Sequence, residues 1–349
     1  MRGSRMRGIG VVGLVFGLLV GACGGSGGPS PSAAPVTLRL GYFPNVTHAA
    51  AVVGVAKGFF TQALGANVTL DAKTFNAGPD AVTALFGNSL DATFIGPNPA
   101  INAFKQSNGE AIRIVAGATS GGAFFVVRDG INSAADLRGK TIGTPQLGNT
   151  QDVALRAWLG TQGMTTTAEG GGDVHITPQS NAQNLETFKS GLIDGAWVPE
   201  PWATRMVQEG GGHVLVDERD LWPNGQYVTT HLIVRTEFLQ QHRDVVKNLI
   251  KGLLTATDYV NNSPADAQAT VAQAIAQITS TDPMATSLLA PVWSNLTFTV
   301  DPIASSLQKS ADDQKSLGFI DDANLAGIYD LSVLNEVLRE AGRPEVVQP

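Results

Sequence analysis

One pattern occurs twice in this chain, about a hundred residues apart. Leu90-Asp91-Ala92-Thr93-Phe94-Ile95-Gly96-Pro97-Asn98-Pro99-Ala100 is echoed by Ile193-Asp194-Gly195-Ala196-Trp197-Val198-Pro199-Glu200-Pro201-Trp202-Ala203. The flanks echo in the same order. Leu38-Arg39-Leu40-Gly41 ahead of Asn45-Val46-Thr47 returns as Lys140-Thr141-Ile142-Gly143 ahead of Gly148-Asn149-Thr150. Phe75-Asn76-Ala77-Gly78-Pro79 returns as Thr177-Pro178-Gln179-Ser180-Asn181, and Phe125-Val126-Val127-Arg128 as Leu232-Ile233-Val234-Arg235. The offset stays between 102 and 107 residues. Four segments in register imply two lobes of like architecture facing each other, and so a cleft that holds something rather than one reactive residue.

Length agrees with two lobes. The foldable part, Val36 to Pro349, has 314 residues, and single cores stop growing at roughly 250–300. Short apolar runs ending in turn residues alternate with helical stretches, which reads as parallel sheets with helices on both faces. In the first lobe the strands are expected at Thr37–Gly41, Val68–Phe75, Thr93–Ile95 and Ile112–Ala118. In the second they are expected at Thr141–Gly143, Val174–Thr177, Gly195–Val198 and Val214–Val216. Ala123–Arg128 crosses into the second lobe and Val228–Arg235 returns, so two crossings make a hinge. The expected division is 36–122 plus 236–349 for lobe 1 and 123–235 for lobe 2. After Arg235 the period changes. Glu237–Asn261 carries Val245, Leu249, Leu253 and Leu254 on one side, an amphipathic helix that opens a helical C-terminal tail.

The N-terminus reads as an export signal. Arg2, Arg5 and Arg7 precede an apolar run from Ile9 to Ala22, about 14 residues against the ~20 a membrane-spanning helix needs. It ends in Val20-Gly21-Ala22-Cys23, similar to a bacterial lipobox, with residues 1–22 as leader and 23–35 as a glycine- and proline-rich tether. Cys23 is the only cysteine, so it is assigned to lipidation, and no disulfide can form within the chain. Without the three leader arginines the charge is 20 basic against 30 acidic residues, a net −10. Nucleic acid is excluded as a partner on that balance, because binding there comes from basic groups displacing counterions.

In open α/β sheets ligands sit beyond the C-terminal strand ends, where helices begin. Asn45, Gly78, Asn98, Asn149 and Ser180 stand at expected helix N-caps, Ser180 with Gln183 as a capping box. Free N–H groups and the positive dipole ends of such helices, aimed into one cleft, would hold an oxyanion without a lysine. Tyr42, Phe43, Phe124, Trp197, Trp202 and Trp222 sit at the same loop ends and suit an organic ligand. Thr119-Ser120-Gly121-Gly122 precedes the crossing strand, where small residues let backbone approach a ligand. Glu200 is awkward beside an anion. It either reads an ammonium or hydroxyl on the ligand or is structural.

None of His48, His175, His213, His231 and His242 forms a metal-ligand pair with another on a helix. His48 and His231 fall on expected cleft loops. No metal, cofactor or catalytic group is expected. The only G-x-S-x-G match, around Ser26, lies in the tether with no strand before it, so it is no nucleophile elbow. Gly139-Lys140-Thr141 lacks the first glycine of a phosphate loop, Ala134 standing there.

Leu40-Gly41-Tyr42-Phe43-Pro44-Asn45, Ala56-Lys57-Gly58-Phe59-Phe60, Leu90-Asp91-Ala92, Leu137-Arg138-Gly139-Lys140-Thr141-Ile142-Gly143 and Glu200-Pro201-Trp202-Ala203 together resemble the nitrate/sulfonate/taurine group of ABC-importer substrate-binding proteins, which includes the aliphatic sulfonate-binding proteins. The resemblance spans about Leu38 to Arg243. It implies a type II periplasmic-binding fold, two α/β lobes with a double-crossover hinge, that captures a small anion outside the cytoplasm and delivers it to a permease and its ATPase. The protein would be a monomer held to the membrane through Cys23. The implied ligand residues are Phe43, Asn45, Asn76, Gly78, Gly96, Asn98, Ser120, Gly121, Gly148, Asn149, Thr150, Trp197 and Glu200. An aliphatic sulfonate is preferred because aromatic loop ends would be wasted on nitrate. Nitrate or bicarbonate, taurine, and an uncharged pyrimidine- or flavin-type ring are the alternatives. An enzyme similar to thiamine-pyrimidine synthase fits less well, since that type carries a cysteine-rich motif and works in the cytosol.

Overall fold

Both echoed segments begin with the same clasp. Asp91 N–H donates to Arg39 O and the Asp91 carboxylate accepts Arg39 N–H, each at 2.9 Å. Asp194 repeats both bonds with Thr141, at 2.7 and 2.9 Å. A third strand then closes on each aspartate: Arg235 N–H donates to Asp91 O at 2.8 Å, and Arg128 N–H to Asp194 O at 2.9 Å. The sequence echo is therefore an echo of backbone pairing.

The computed structural model describes residues 35–349. The expected leader 1–22, Cys23 and the tether as far as residue 34 lie outside the described residues. The strands are β1 (Val36–Tyr42), β2 (Val68–Thr74), β3 (Ala92–Ile95), β4 (Ile112–Gly121), β5 (Ala123–Val127), β6 (Thr141–Pro145), β7 (His175–Gln179), β8 (Gly195–Pro199), β9 (His213–Asp217), β10 (Val228–Arg235) and β11 (Leu296–Phe298). They form a six-stranded sheet in the order β11-β4-β10-β3-β1-β2 and a five-stranded sheet in the order β7-β6-β8-β5-β9. Among the described residues no helix is long and apolar enough to cross a membrane.

These sheets are mixed, not wholly parallel as the alternation suggested. β10 runs antiparallel to β3 and β4, and β5 antiparallel to β8 and β9. The reason is the double crossing: each of these strands enters its sheet from the opposite lobe and so from the opposite end. Val228–Arg235, grouped above with the second lobe, accordingly hydrogen-bonds within the first sheet.

The first crossing turns at Gly121 and Gly122, both with φ of +78°. A β-carbon is strained there, and glycine supplies the bend between β4 and β5. Strand period sets the second lobe's layers. Phe125, Val127 and Trp197 face one side with Leu155 and Leu159, while Phe124, Val126, Ala196 and Val198 face the other with Leu185 and Phe188.

The tail covers the first sheet. Val245, Leu249, Leu253 and Leu254 of the helix Arg243–Asn262 are buried in the same cluster as Leu38, Leu40, Phe94 and Ile114. Phe60 is seated between helices by two glycines, since a β-carbon at Gly54 or Gly252 would overlap its ring. The helices expected from the sequence at Ala49–Phe60 and Glu237–Asn261 are each broken. Ala49–Ala56 and Phe59–Leu64 part at Gly58, whose φ is +73°. Thr236–Gln241 and Arg243–Asn262 part at His242.

Candidate functional site

Segments at the C-terminal ends of β1, β2, β3, β6, β7 and β8 meet at one small cavity of about 20 Å³. Phe43, Asn45, Thr47, His48, Asn76, Gly96 and Thr229 line it from the first lobe and the return strand, and Asn149, Thr150, Gln151, Asn181 and Pro199 from the second. The lining is pseudo-symmetric. Thr47 and Thr150, His48 and Gln151, and Gly96 and Pro199 are three pairs, each separated by 103 residues.

Helix geometry supplies the donors. Thr150 and Gln151 open the twelve-residue helix Thr150–Thr161, whose N-cap is Asn149. Asn181 opens Asn181–Lys189, whose N-cap Ser180 accepts from Gln183 N–H at 3.2 Å. First-turn N–H groups have no partner within a helix, so these turns offer donors and positive dipole ends to the cavity. Two lining side chains are buried with an atom that has no hydrogen-bond partner among the described residues: Thr150 Oγ1 and Asn181 Oδ1. Burying such groups unpaired is costly, so a ligand that satisfies them gains what the protein forgoes.

No Lys, Arg, Asp or Glu stands among the lining residues. His48 adds no charge, because full burial depresses its pKa to about 3. Phe43 N–H donates to His48 Nδ1 at 3.4 Å, and the two rings lie 4.5 Å apart. That bond puts the imidazole proton on Nε2. The cavity is thus an uncharged set of amides, hydroxyls and one neutral imidazole.

Of the residues expected to touch a ligand, Phe43, Asn45, Asn76, Gly96, Asn149 and Thr150 line this cavity. Gly78 sits behind it, where a β-carbon would come within 3.2 Å of Asn149 Oδ1 across the cleft. The others are placed elsewhere. Asn98 turns to the tail, its Nδ2 donating to Ser310 O at 3.3 Å. Ser120 and Gly121 are ladder residues of the hinge, pairing with Val228, Thr297 and Leu296. Gly148 N–H donates to the Asp152 carboxylate at 2.9 Å. Trp197 is fully buried, stacks 5.5 Å from Phe125 and donates to Glu218 Oε2 at 2.7 Å. Glu200 accepts from Thr204 N–H (3.1 Å), Thr204 Oγ1 (2.8 Å) and Asn295 Nδ2 (3.0 Å), which starts one helix and ties the second lobe to the tail. Burial raises its pKa despite those donors. Ser180 caps its helix beside the cavity, and His231 faces Pro302 O at 3.2 Å in the core.

Thr47, Gln151, Asn181, Pro199 and Thr229 also line the cavity and were not among the expected ligand residues. Thr47 and Gln151 were within reach of the sequence, because the echo pairs Thr47 with Thr150 and Gln151 with His48.

Two α/β lobes, a double crossing and a cleft of helix N-termini define the periplasmic-binding class of protein. The comparisons make the family specific. The NMT1-like family model matches residues 32–276, and the chain belongs to that family, among the substrate-binding proteins of ABC importers. A binding-protein relative from Brucella abortus (strain 2308) is 27% identical over a match covering 66% of this chain and 73% of its own. The taurine-binding periplasmic protein of Escherichia coli (strain K12) is 28% identical over 60% of this chain and 63% of its own. In fold, the chain is similar to the alkanesulfonate-binding protein SsuA from Xanthomonas axonopodis pv. citri bound to MOPS. That match has a TM-score of 0.70 at 20% identity and covers 84% of this chain and 97% of the other.

Proposed function

We propose that this protein is the extracytoplasmic, lipid-anchored receptor of an ABC importer. It captures a small organic oxyanion, an aliphatic sulfonate before others, between its lobes and presents it to a permease. The observation that carries the ligand class is a cavity without formal charge at the starts of the helices Thr150–Thr161 and Asn181–Lys189, where Thr150 Oγ1 lacks a partner and can donate. A sulfonate spreads one charge over three oxygens and stays ionised at any physiological pH. Many neutral donors suit it better than one lysine would. The names of the relatives point the same way, and the lipobox-like Val20–Cys23 supports the anchor. The division into lobes follows the two sheets, with β10 assigned to the first.

The same lack of charge favours a second reading, an uncharged polar ring held by the asparagines.

One preparation tests these readings. Protein extracted from membranes should carry a diacylated N-terminal Cys23 by mass. Calorimetry on it should show micromolar binding of alkanesulfonates, weaker binding of nitrate and bicarbonate, and about tenfold loss in Thr150→Ala, equivalent to one hydrogen bond to a charged group. Binding of a pyrimidine with no response to any oxyanion would replace the first reading by the second.

A further inference from the structure

Asp152 lies in the first turn of the helix Thr150–Thr161 and is fully buried, but it does not line the cavity. Its carboxylate gathers donors from three places. Oδ1 accepts from Thr144 Oγ1, near the end of β6, at 2.8 Å. Oδ2 accepts from Gly148 N–H at 2.9 Å and from Arg156 Nε, one helical turn on, at 3.0 Å. Arg156 is as buried as Asp152, and the two form an ion pair. The loop between β6 and the helix has little else to hold it. Leu147 is 45% exposed, and Gly148 has a φ of +72°, which leaves its turn without a side chain to pack.

The matching unit of the first lobe is built differently. At the 103-residue offset that pairs Thr47 with Thr150, Asp152 and Arg156 correspond to Ala49 and Val53, both in the apolar core. The architecture therefore does not require the ion pair at this place. A buried ion pair also gains little stability over apolar packing. Its geometry is what apolar residues could not supply: a fixed acceptor for the N–H of Gly148, directly before Asn149 and Thr150, which line the cavity.

We propose that Asp152 is a positioning residue of the ligand site: with Thr144 and Arg156 it clips the loop so that Asn149 and Thr150 present their polar groups to the captured anion. The inference rests on the sulfonate reading of the cavity.

The test is calorimetry with hexanesulfonate on the wild type, Asp152→Asn, Thr144→Val and Thr150→Ala, and on each of the first two variants combined with Thr150→Ala. Asp152→Asn turns an accepting oxygen into an NH2 group that cannot accept, and should weaken binding about tenfold. Thr144→Val removes one donor to the carboxylate and should weaken it about threefold. If Asp152 acts through Thr150, the losses do not add: both double variants should bind about as weakly as Thr150→Ala alone. A general loosening of the fold would instead add to that loss, giving about a hundredfold and about thirtyfold. Should Asp152→Asn fail to fold, the Thr144→Val pair decides alone. Unchanged affinity in the single variants, or additive losses in the double ones, would overturn the positioning role and leave the cavity reading intact. Failure of the wild type to bind hexanesulfonate would overturn both.

Discussion

Glu218 is held far from its ordinary protonation behaviour by its surroundings. It is buried at the second crossing, between Asp217 at the end of β9 and the stacked rings of Trp222 and Tyr227, 5.2 Å apart. Burial pushes its carboxyl up to about 7, against the hydrogen bond from Trp197 and the charge of Lys309. Lys309 approaches from the tail, its Nζ 4.9 Å from the Trp222 ring. A carboxyl whose pKa is raised on folding binds its proton more tightly in the native state. Its effect is therefore stability lost as pH rises from about 4.5 through 7. His48 and His231 act oppositely. Burial lowers them to about 3 and about 4, so they cost stability as pH falls below 6.5. Glu218→Gln keeps an acceptor for Trp197 and removes the titration. Relative to wild type it should gain about 2 kcal/mol between pH 5 and pH 8 in denaturant unfolding. A difference that stays constant with pH would show that Glu218 is not held in this way.

At the scale of elements, the twin clasps differ in one respect. Asp91, nearly inaccessible, also holds the guanidinium of Arg39 through Nε at 2.7 Å and that of Arg235 at 3.5 Å. Asp194 is half-buried and has no ion pair among the described residues. Asp91→Ala leaves two arginines at a buried strand junction and should cost about 3 kcal/mol. Asp194→Ala removes a hydrogen-bond acceptor and should cost about 1 kcal/mol. Urea unfolding of the two variants checks the order, and equal losses would contradict it. These clasps explain why the fold was legible: the pattern around Asp91 and Asp194 encodes backbone pairing that any reading of the repeat finds. Which of the expected residues line the cavity was not legible. Glu200, Asn98 and Trp197 were drawn in by their places at loop ends, but a strand end does not say which way a side chain turns. The echo held a correction, since Trp197 corresponds to Phe94 and both are core. The broken helices at Gly58 and His242 escaped because apolar spacing continues across them.

The whole molecule, as it stands, is closed. Val46 N–H donates to Glu200 O at 3.1 Å, Trp202 to Asn45 at 2.9 Å, and Gln146 Nε2 to Asp80 Oδ2 at 2.9 Å, each bond joining one lobe to the other. A ligand reaches a cavity of about 20 Å³ only if such bonds open, and the two crossings are where the chain can bend. Hinge closure around a ligand is the expected motion, and the bound anion should shift the population toward the closed form by its preference for that form. Small-angle scattering measures this most directly. With saturating hexanesulfonate the radius of gyration should fall, and the scattering should approach that expected of the closed structure. An unchanged radius of gyration, with binding confirmed by calorimetry in the same sample, would contradict capture by lobe closure.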